Sequence, residues 1–233
     1  LVYIGINSLS GITANAQIRK AISLACDRTV FAQSAYNGYA TAATSPFNPQ
    51  ASIAQNVKIF SSEADSITAK QALNQSMIDS KKLKVNILVN KNNNRIACAT
   101  LLKNQLEAIG FTVTIDEEGT KEYTRRVKNT EFNLYIGEVK LSDDMCLYPF
   151  FDDKSGGVRY GIDNENLTCD DLYSAYLAGE CDLGKFILAF NEEMPYIPLV
   201  YKKGMICYTK AMSGDMQGYW GNFFSNIDTW RFE

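Results

Sequence analysis

Apolar residues recur at helical spacing over residues 16–25, where Ile18, Ala21, Ile22 and Ala25 form one stripe and Arg19, Lys20 and Ser23 are expected to face water. Asp27 breaks the run. Its short carboxylate suits the free NH groups of a new first turn, which predicts a second helix from Arg28 with Val30, Phe31, Ser34 and Ala35 inward. Asn37-Gly38 fits the left-handed end of that helix, and Pro46 and Pro49 predict an extended segment outside any ladder. Ahead of these helices, the β-rich run 2–6 reads as a strand.

Residues 47–62 read as mostly irregular, and Asp65 is expected to cap a helix to about Asp79, with Ile67, Ala69, Leu73 and Met77 loosely periodic. The most regular region follows. It predicts a strand at 83–89, an amphipathic helix at 95–109 closed by Gly110, and a strand at 111–115 with Phe111, Val113 and Ile115 on one side. A helix at 121–128 and a strand at 132–136 complete a β-α-β-α-β run. Such crossovers give parallel neighbours, helices on the sheet faces, and ligands at the carboxyl ends of the strands.

The stretch 137–163 is long, rich in Gly and Asp and strewn with aromatics, more than a plain connection requires. Helices are expected at 169–178 and 182–194, the second with Leu183, Phe186, Ile187 and Phe190 inward and Pro195 as its stop; a strand at 197–201 follows, with 205–208 extending or re-entering the sheet. The tail holds Tyr219, Trp220, Phe223, Phe224, Ile227, Trp230 and Phe232 with little periodicity, a set expected to pack back or to mediate association.

With 233 residues, 46% of them hydrophobic, the chain is long enough for one large domain or two small ones. The net charge of -3 and scattered Lys and Arg leave no electrostatic footprint for nucleic acid. No apolar run approaches the roughly 18 residues of a membrane span. The absence of histidine removes Ser-His-Asp and Cys-His catalysis and histidine-bound zinc together. No phosphate or dinucleotide loop appears, Ser155-Gly156-Gly157 being too short. The carboxylate pairs Asp143-Asp144, Asp152-Asp153, Asp170-Asp171 and Glu192-Glu193 read as solvated or capping, and the spacing of a calcium loop is absent from 143–153. No catalytic residue, cofactor or metal ligand is therefore assigned. The six cysteines include no C-x-x-C pair; Cys26 and Cys98 read as small buried hydrophobes, and a Cys169–Cys181 pairing stays open.

The best binding candidate is 135–151, which leaves a predicted parallel strand and offers backbone, acidic groups and aromatic rings together. Tyr135, Gly137, Glu138, Val139, Ser142 and Asp143, with Tyr160 nearby, are the expected ligand contacts; the bland alternative is a covering loop whose Tyr148, Phe150 and Phe151 close the core.

Arg19, Ala21, Ile22, Ser23, Ala25, Asp27 and Arg28, followed by Asn37-Gly38-Tyr39-Ala40 and the loop to Pro49, resemble the R-x-A-[IL]-S-x-A-I-D-R and N-G-Y-G patterns of the extracellular solute-binding proteins of family 5, which serve peptide and nickel ABC importers. The likeness continues through DSITAKQAL from Asp65, LEAIGFTV from Leu106 and PYIPLVY from Pro195. It implies an α/β fold: a periplasmic-binding-protein-like (type II) lobe with a mixed, largely parallel sheet flanked by helices. Residues 1–208 would form the second lobe and 209–233 would return to a first lobe, with the strand at 2–6 beside that at 197–201. The implied function is capture of a peptide or similar small polar solute for an ABC permease, outside the membrane, with the export and anchoring segments lying elsewhere. The family's G-x-W-x-x-D-Y pattern is not matched in detail, since its Trp falls on Glu138 or Val139 and its Asp on Ser142 or Asp143. A sensor or interaction module of the same fold, and an enzyme of unrecognised type, are the alternatives.

Overall fold

The computed structural model describes residues 1–55, 57–151, 157–163, 167–216, 222 and 224–232. Short polar side chains start the helices where the sequence places them. Asn15 accepts from Gln17 N and Ile18 N at the head of α1 (Ala16–Ala25), Asp27 accepts from Val30 N at 3.0 Å to open α2 (Arg28–Val30), and Asp65 accepts from Thr68 N at 2.9 Å to open α3 (Ser66–Gln75). α2 runs on as a π-turn, Phe31–Ala35, and the wider turn moves Ala32 inward and leaves Ser34 exposed, against the expected helical phase. Asn37 and Gly38 both take positive φ, which ends the segment as expected. α3 stops short of Asp79, and Ile67 and Met77 face solvent while Ala69, Ala72 and Leu73 are buried.

The sheet contains β1 (Val2–Ile6), β2 (Ala40–Ala42), β3 (Lys84–Asn90), β4 (Thr112–Glu118), β5 (Leu134–Glu138) and β6 (Tyr196–Lys202), in the order β2-β6-β1-β5-β3-β4. β3 pairs in parallel with β4 and β5, whereas β1 is antiparallel to both β5 and β6 and β2 is antiparallel to β6. β3, β4, β5 and β6 consequently run one way and β1 and β2 the other. The pairing of β1 with β6 joins the two remote segments that the family resemblance places side by side. Residues 205–208 add no strand and are largely exposed.

Helices cover both faces. α1, α3 and α4 (Asn93–Ile109) pack on Val2, Ile4, Ile6, Val85, Ile87 and Val89. The opposite face is aromatic: Tyr3, Tyr135 and Tyr196 meet Phe150 and Phe151 of α6 (Tyr148–Phe151), Tyr173 of α7 (Cys169–Leu177), and Phe186 and Phe190 of α8 (Leu183–Glu193), with α5 (Thr120–Lys128) at one side. Phe150 stacks on Tyr196 with centroids 3.7 Å apart. Two glycines make room for the rings. Tyr3 lies opposite Gly137 and Gly5 opposite Tyr135, and a Cβ on Gly137 or Gly5 would fall 2.3 Å or 1.9 Å from the facing ring.

Arg19 and Ser23 are buried, contrary to the water-facing expectation. Arg19 donates to the carbonyls of Thr13, Ala14 and Glu193, and Ser23 Oγ accepts from Arg28 Nη2 at 3.0 Å. Buried Arg28 also donates to the carbonyls of Pro198, Ser23, Cys26 and Ser61, and its guanidinium lies 4.8 Å from the Phe60 ring centre. The polar residues of this segment thus staple α1 and α2 to β6 and to the loop ahead of α3.

In the tail, β7 (Met212–Ser213) pairs with β8 (Arg231–Phe232), and Phe224 and Phe232 remain 64% and 76% exposed. Tyr219, Trp220 and Phe223 lie outside the described residues, as do Asp152-Asp153 and Ser155-Gly156 of the long loop.

Candidate functional site

Because β3, β5 and β6 run together, their carboxyl ends share one rim with the starts of β1 and β2. Charges collect there. Glu138, the last residue of β5, accepts from Lys202 Nζ at 2.6 Å through Oε1 and from Arg95 Nη2 at 3.3 Å through Oε2. Lys202 ends β6, and Arg95 sits in the first turn of α4, just after β3, where its Nη1 donates to Asn90 Oδ1 at 3.2 Å. Burial works against the charged Glu138 carboxylate, but Lys202 and then Arg95 outweigh it and hold the carboxyl below its ordinary value. Arg95 Nε is buried with no hydrogen-bond partner among the described residues. Beside this cluster, Lys203 N donates to Tyr39 O, which ties the turn carrying the exposed Tyr39 ring to the end of β6.

The other expected contacts divide between rim and core. Val139 continues the ladder past β5 through its backbone bonds with Leu1, and Ser142 and Asp143 are exposed in the turn that follows. That turn is organised by Asp144, whose Oδ1 accepts from Ser142 Oγ and from Cys146 N. Tyr135 and Gly137 lie in the aromatic core: the Tyr135 hydroxyl is 3.1 Å from that of Tyr3, and Gly137 sits under the Tyr3 ring. Tyr160 is half-buried against the same core. Phe150 and Phe151 do close the core, while Tyr148 stays exposed. Sequence reasoning missed Arg95 and Lys202. Their positions just after β3 and at the end of β6 were a signal, but which strands share the rim follows only from pairings remote in sequence.

The profile of the family described as "Bacterial extracellular solute-binding proteins, family 5 Middle" matches residues 1–156. The chain belongs to this family. Its members are extracellular binding proteins of importers and not enzymes. A comparison with curated proteins gives no match. Among solved structures, the oligopeptide-binding protein AppA from Bacillus subtilis, in complex with a nonapeptide, is 19% identical with a TM-score of 0.70, over 100% of this chain and 50% of that one. NikZ from Campylobacter jejuni, in complex with Ni(L-His), is 18% identical with a TM-score of 0.71, over 98% of this chain and 51% of that one. HbpA2 from Haemophilus parasuis is 20% identical with a TM-score of 0.72, over 92% of this chain and 45% of that one. The chain therefore spans about half the length of these solved structures.

Among the described residues no group of three or more His, Cys, Asp or Glu side chains could hold a metal ion, and no helix is long and apolar enough to cross a membrane. All six cysteines are free thiols. Burial raises Cys26 to about 11 and Cys98 to about 12, and burial with the nearby Glu193 raises Cys169 further. Brief alkylation at neutral pH should therefore label exposed Cys207 first and leave these three unmodified until the protein unfolds, as mass spectrometry would record. Rapid labelling of Cys26, Cys98 or Cys169 in the folded protein would contradict the packing described here.

Proposed function

We propose that this chain is the solute-capturing second lobe of a substrate-binding protein that delivers a peptide or similar small polar solute to an ABC permease outside the membrane. The observation that carries the reading is the charged rim at the carboxyl ends of β3, β5 and β6, the place where ligands of open α/β sheets collect, on a fold of the solute-binding family. In this proposal Glu138, Val139, Ser142 and Asp143 form the surface that faces solute, Tyr160 flanks it, and Tyr135 and Gly137 support it from the core. Residues 1–208 form the lobe and 209–233 pack on another part of the full-length protein. The exposed Phe224 and Phe232 support that assignment, as do hydrogen bonds of the described tail residues that run within the tail, such as Asn226 Nδ2 to Asp215 Oδ2 at 2.7 Å.

A cleft between two lobes loses half its contacts when one lobe is absent. A micromolar site is worth about 8 kcal/mol, and half of that corresponds to binding on the order of millimolar. Calorimetry with mixed oligopeptides should thus give clear heat with the full-length protein and none with residues 1–233 alone. Micromolar binding by the isolated chain would overturn the half-site reading and favour a self-sufficient sensor module.

A further inference from the structure

We propose that the outward flank of α3 and the turn that follows it dock on an anionic lipid bilayer, at the end of the sheet away from the charged rim. Lys84 and Asn90 are the two ends of β3, so a surface beside Lys84 leaves the rim beside Asn90 free. Residues 66–84 hold Lys70, Lys81, Lys82 and Lys84 against Asp79 as their one acidic residue, a net +3 in a chain whose total is -3. All four lysines are exposed, and none has an ion-pair partner among the described residues. The helices packed on α3 do not neutralise them. α1 has no acidic residue, and Glu107, the one acidic residue of α4, pairs with Lys103 at 3.6 Å.

The turn holds an apolar tip among these charges. Met77 takes φ 57°, a left-handed backbone that suits Gly or Asn, and it is 93% exposed, so its side chain contributes little to the packing of the fold. Hydrogen bonds fix the turn on both sides. Ser76 Oγ donates to Leu73 O at 2.6 Å and accepts from Ile78 N at 3.2 Å, Asn15 Nδ2 donates to Ser76 O at 3.3 Å, and Asp79 Oδ1 accepts from Lys81 N at 2.8 Å. Ile67, 75% exposed, continues the apolar edge one helical turn from Lys70. Charge and apolar character together select the partner: lysine ammonium groups meet phosphates without a fixed geometry, and an unbranched methionine chain enters the acyl boundary beneath them. An acidic protein or polymer would engage the lysines and leave Met77 and Ile67 without a role. On the solute-binding reading above, this contact keeps the protein beside the membrane of its permease with the rim open to solute.

The test is co-sedimentation of the full-length protein, free of any acyl group, with vesicles of phosphatidylcholine alone and of phosphatidylcholine mixed with phosphatidylglycerol. At about 0.15 M salt the mixed vesicles should bind at least about tenfold more tightly, and the preference should vanish near about 1 M, where the screening length falls to about 3 Å. The double variant Lys81→Gln/Lys82→Gln should lose most of the preference, at about fivefold per lysine. Met77→Asn, which keeps a residue suited to the left-handed backbone, should weaken binding to the mixed vesicles at least about threefold. Thermal unfolding of both variants, expected within a few degrees of the parent because the positions are exposed, separates lost contact from lost fold. Equal binding to both kinds of vesicle, or a preference that the lysine variant leaves intact, would overturn the proposal. So would a lysine-dependent preference that Met77→Asn does not touch and that soluble polyglutamate abolishes, since the patch would then serve an acidic macromolecule. Oligopeptide binding by the lysine variant, expected at the parent level, shows that none of these results bears on the solute-binding reading.

Discussion

Replacing Arg28 by methionine is expected to destabilise the protein by about 4 kcal/mol, although no ligand or catalytic group is touched. The methionine chain replaces the aliphatic stem but none of the donors. The carbonyls of Pro198, Ser23, Cys26 and Ser61 and the Ser23 hydroxyl would lose the guanidinium in an interior where Arg28 is 1% exposed. Burial lowers the proton affinity of this guanidinium, but from so high an ordinary value that it stays charged at neutral pH, so its donors are always present. Arg28→Lys should recover only a minor part, because a single ammonium cannot span acceptors on three segments. Urea unfolding of the variants gives the values. A loss below about 1 kcal/mol for Arg28→Met would mean that water replaces the lost donors and that the staple is not structural.

Gly137→Ala should cost about 3 kcal/mol through a single added methyl group. The new Cβ would lie 2.3 Å from Tyr3 Cζ, and the Tyr3 ring cannot swing away because Tyr135, Phe150 and Tyr196 hold it edge-on at 5.7, 4.9 and 5.8 Å between centroids. Gly137 therefore matters through packing, not through close approach to a ligand. The double variant Tyr3→Leu/Gly137→Ala distinguishes the two roles. If the clash is the cause, the two losses should fall short of additivity by about 1–3 kcal/mol in unfolding experiments. Additive losses would point to a backbone effect at Gly137 unrelated to the ring.

The family motif shows what a sequence conveys and where it stops. Asp27 as a cap, Asn37-Gly38 as a terminator and the β-α-β-α-β run of 83–136 are local physics: a short acceptor before free NH groups, a left-handed turn, a change of period. Arg19 and Ser23 look like solvent-facing polar residues because their partners are not local; Arg19 Nε donates to Glu193 O, 174 positions away. Ser34 reads as inward only if a helical period runs through 31–35, and that segment widens to a π-turn. At the rim, Glu138 was legible as the residue leaving a parallel strand, but its partner Lys202 lies 64 positions on and meets it only because β1 pairs with both β5 and β6. Tyr135 and Gly137 read as rim residues because they lie beside Glu138 in sequence. The two-residue alternation of β5 and the cross-strand match of tyrosine to glycine place them in the core instead.

The central claim, that the carboxyl-end rim is the surface that meets solute, is tested most directly by hydrogen exchange of the full-length protein with and without a bound oligopeptide mixture. The account predicts slowed exchange in residues 90–95, 137–143 and 201–203, which carry Asn90, Arg95, Glu138, Asp143 and Lys202, with the amides of α3 unchanged. Solute binding that leaves all three rim segments exchanging at their free rates would contradict it.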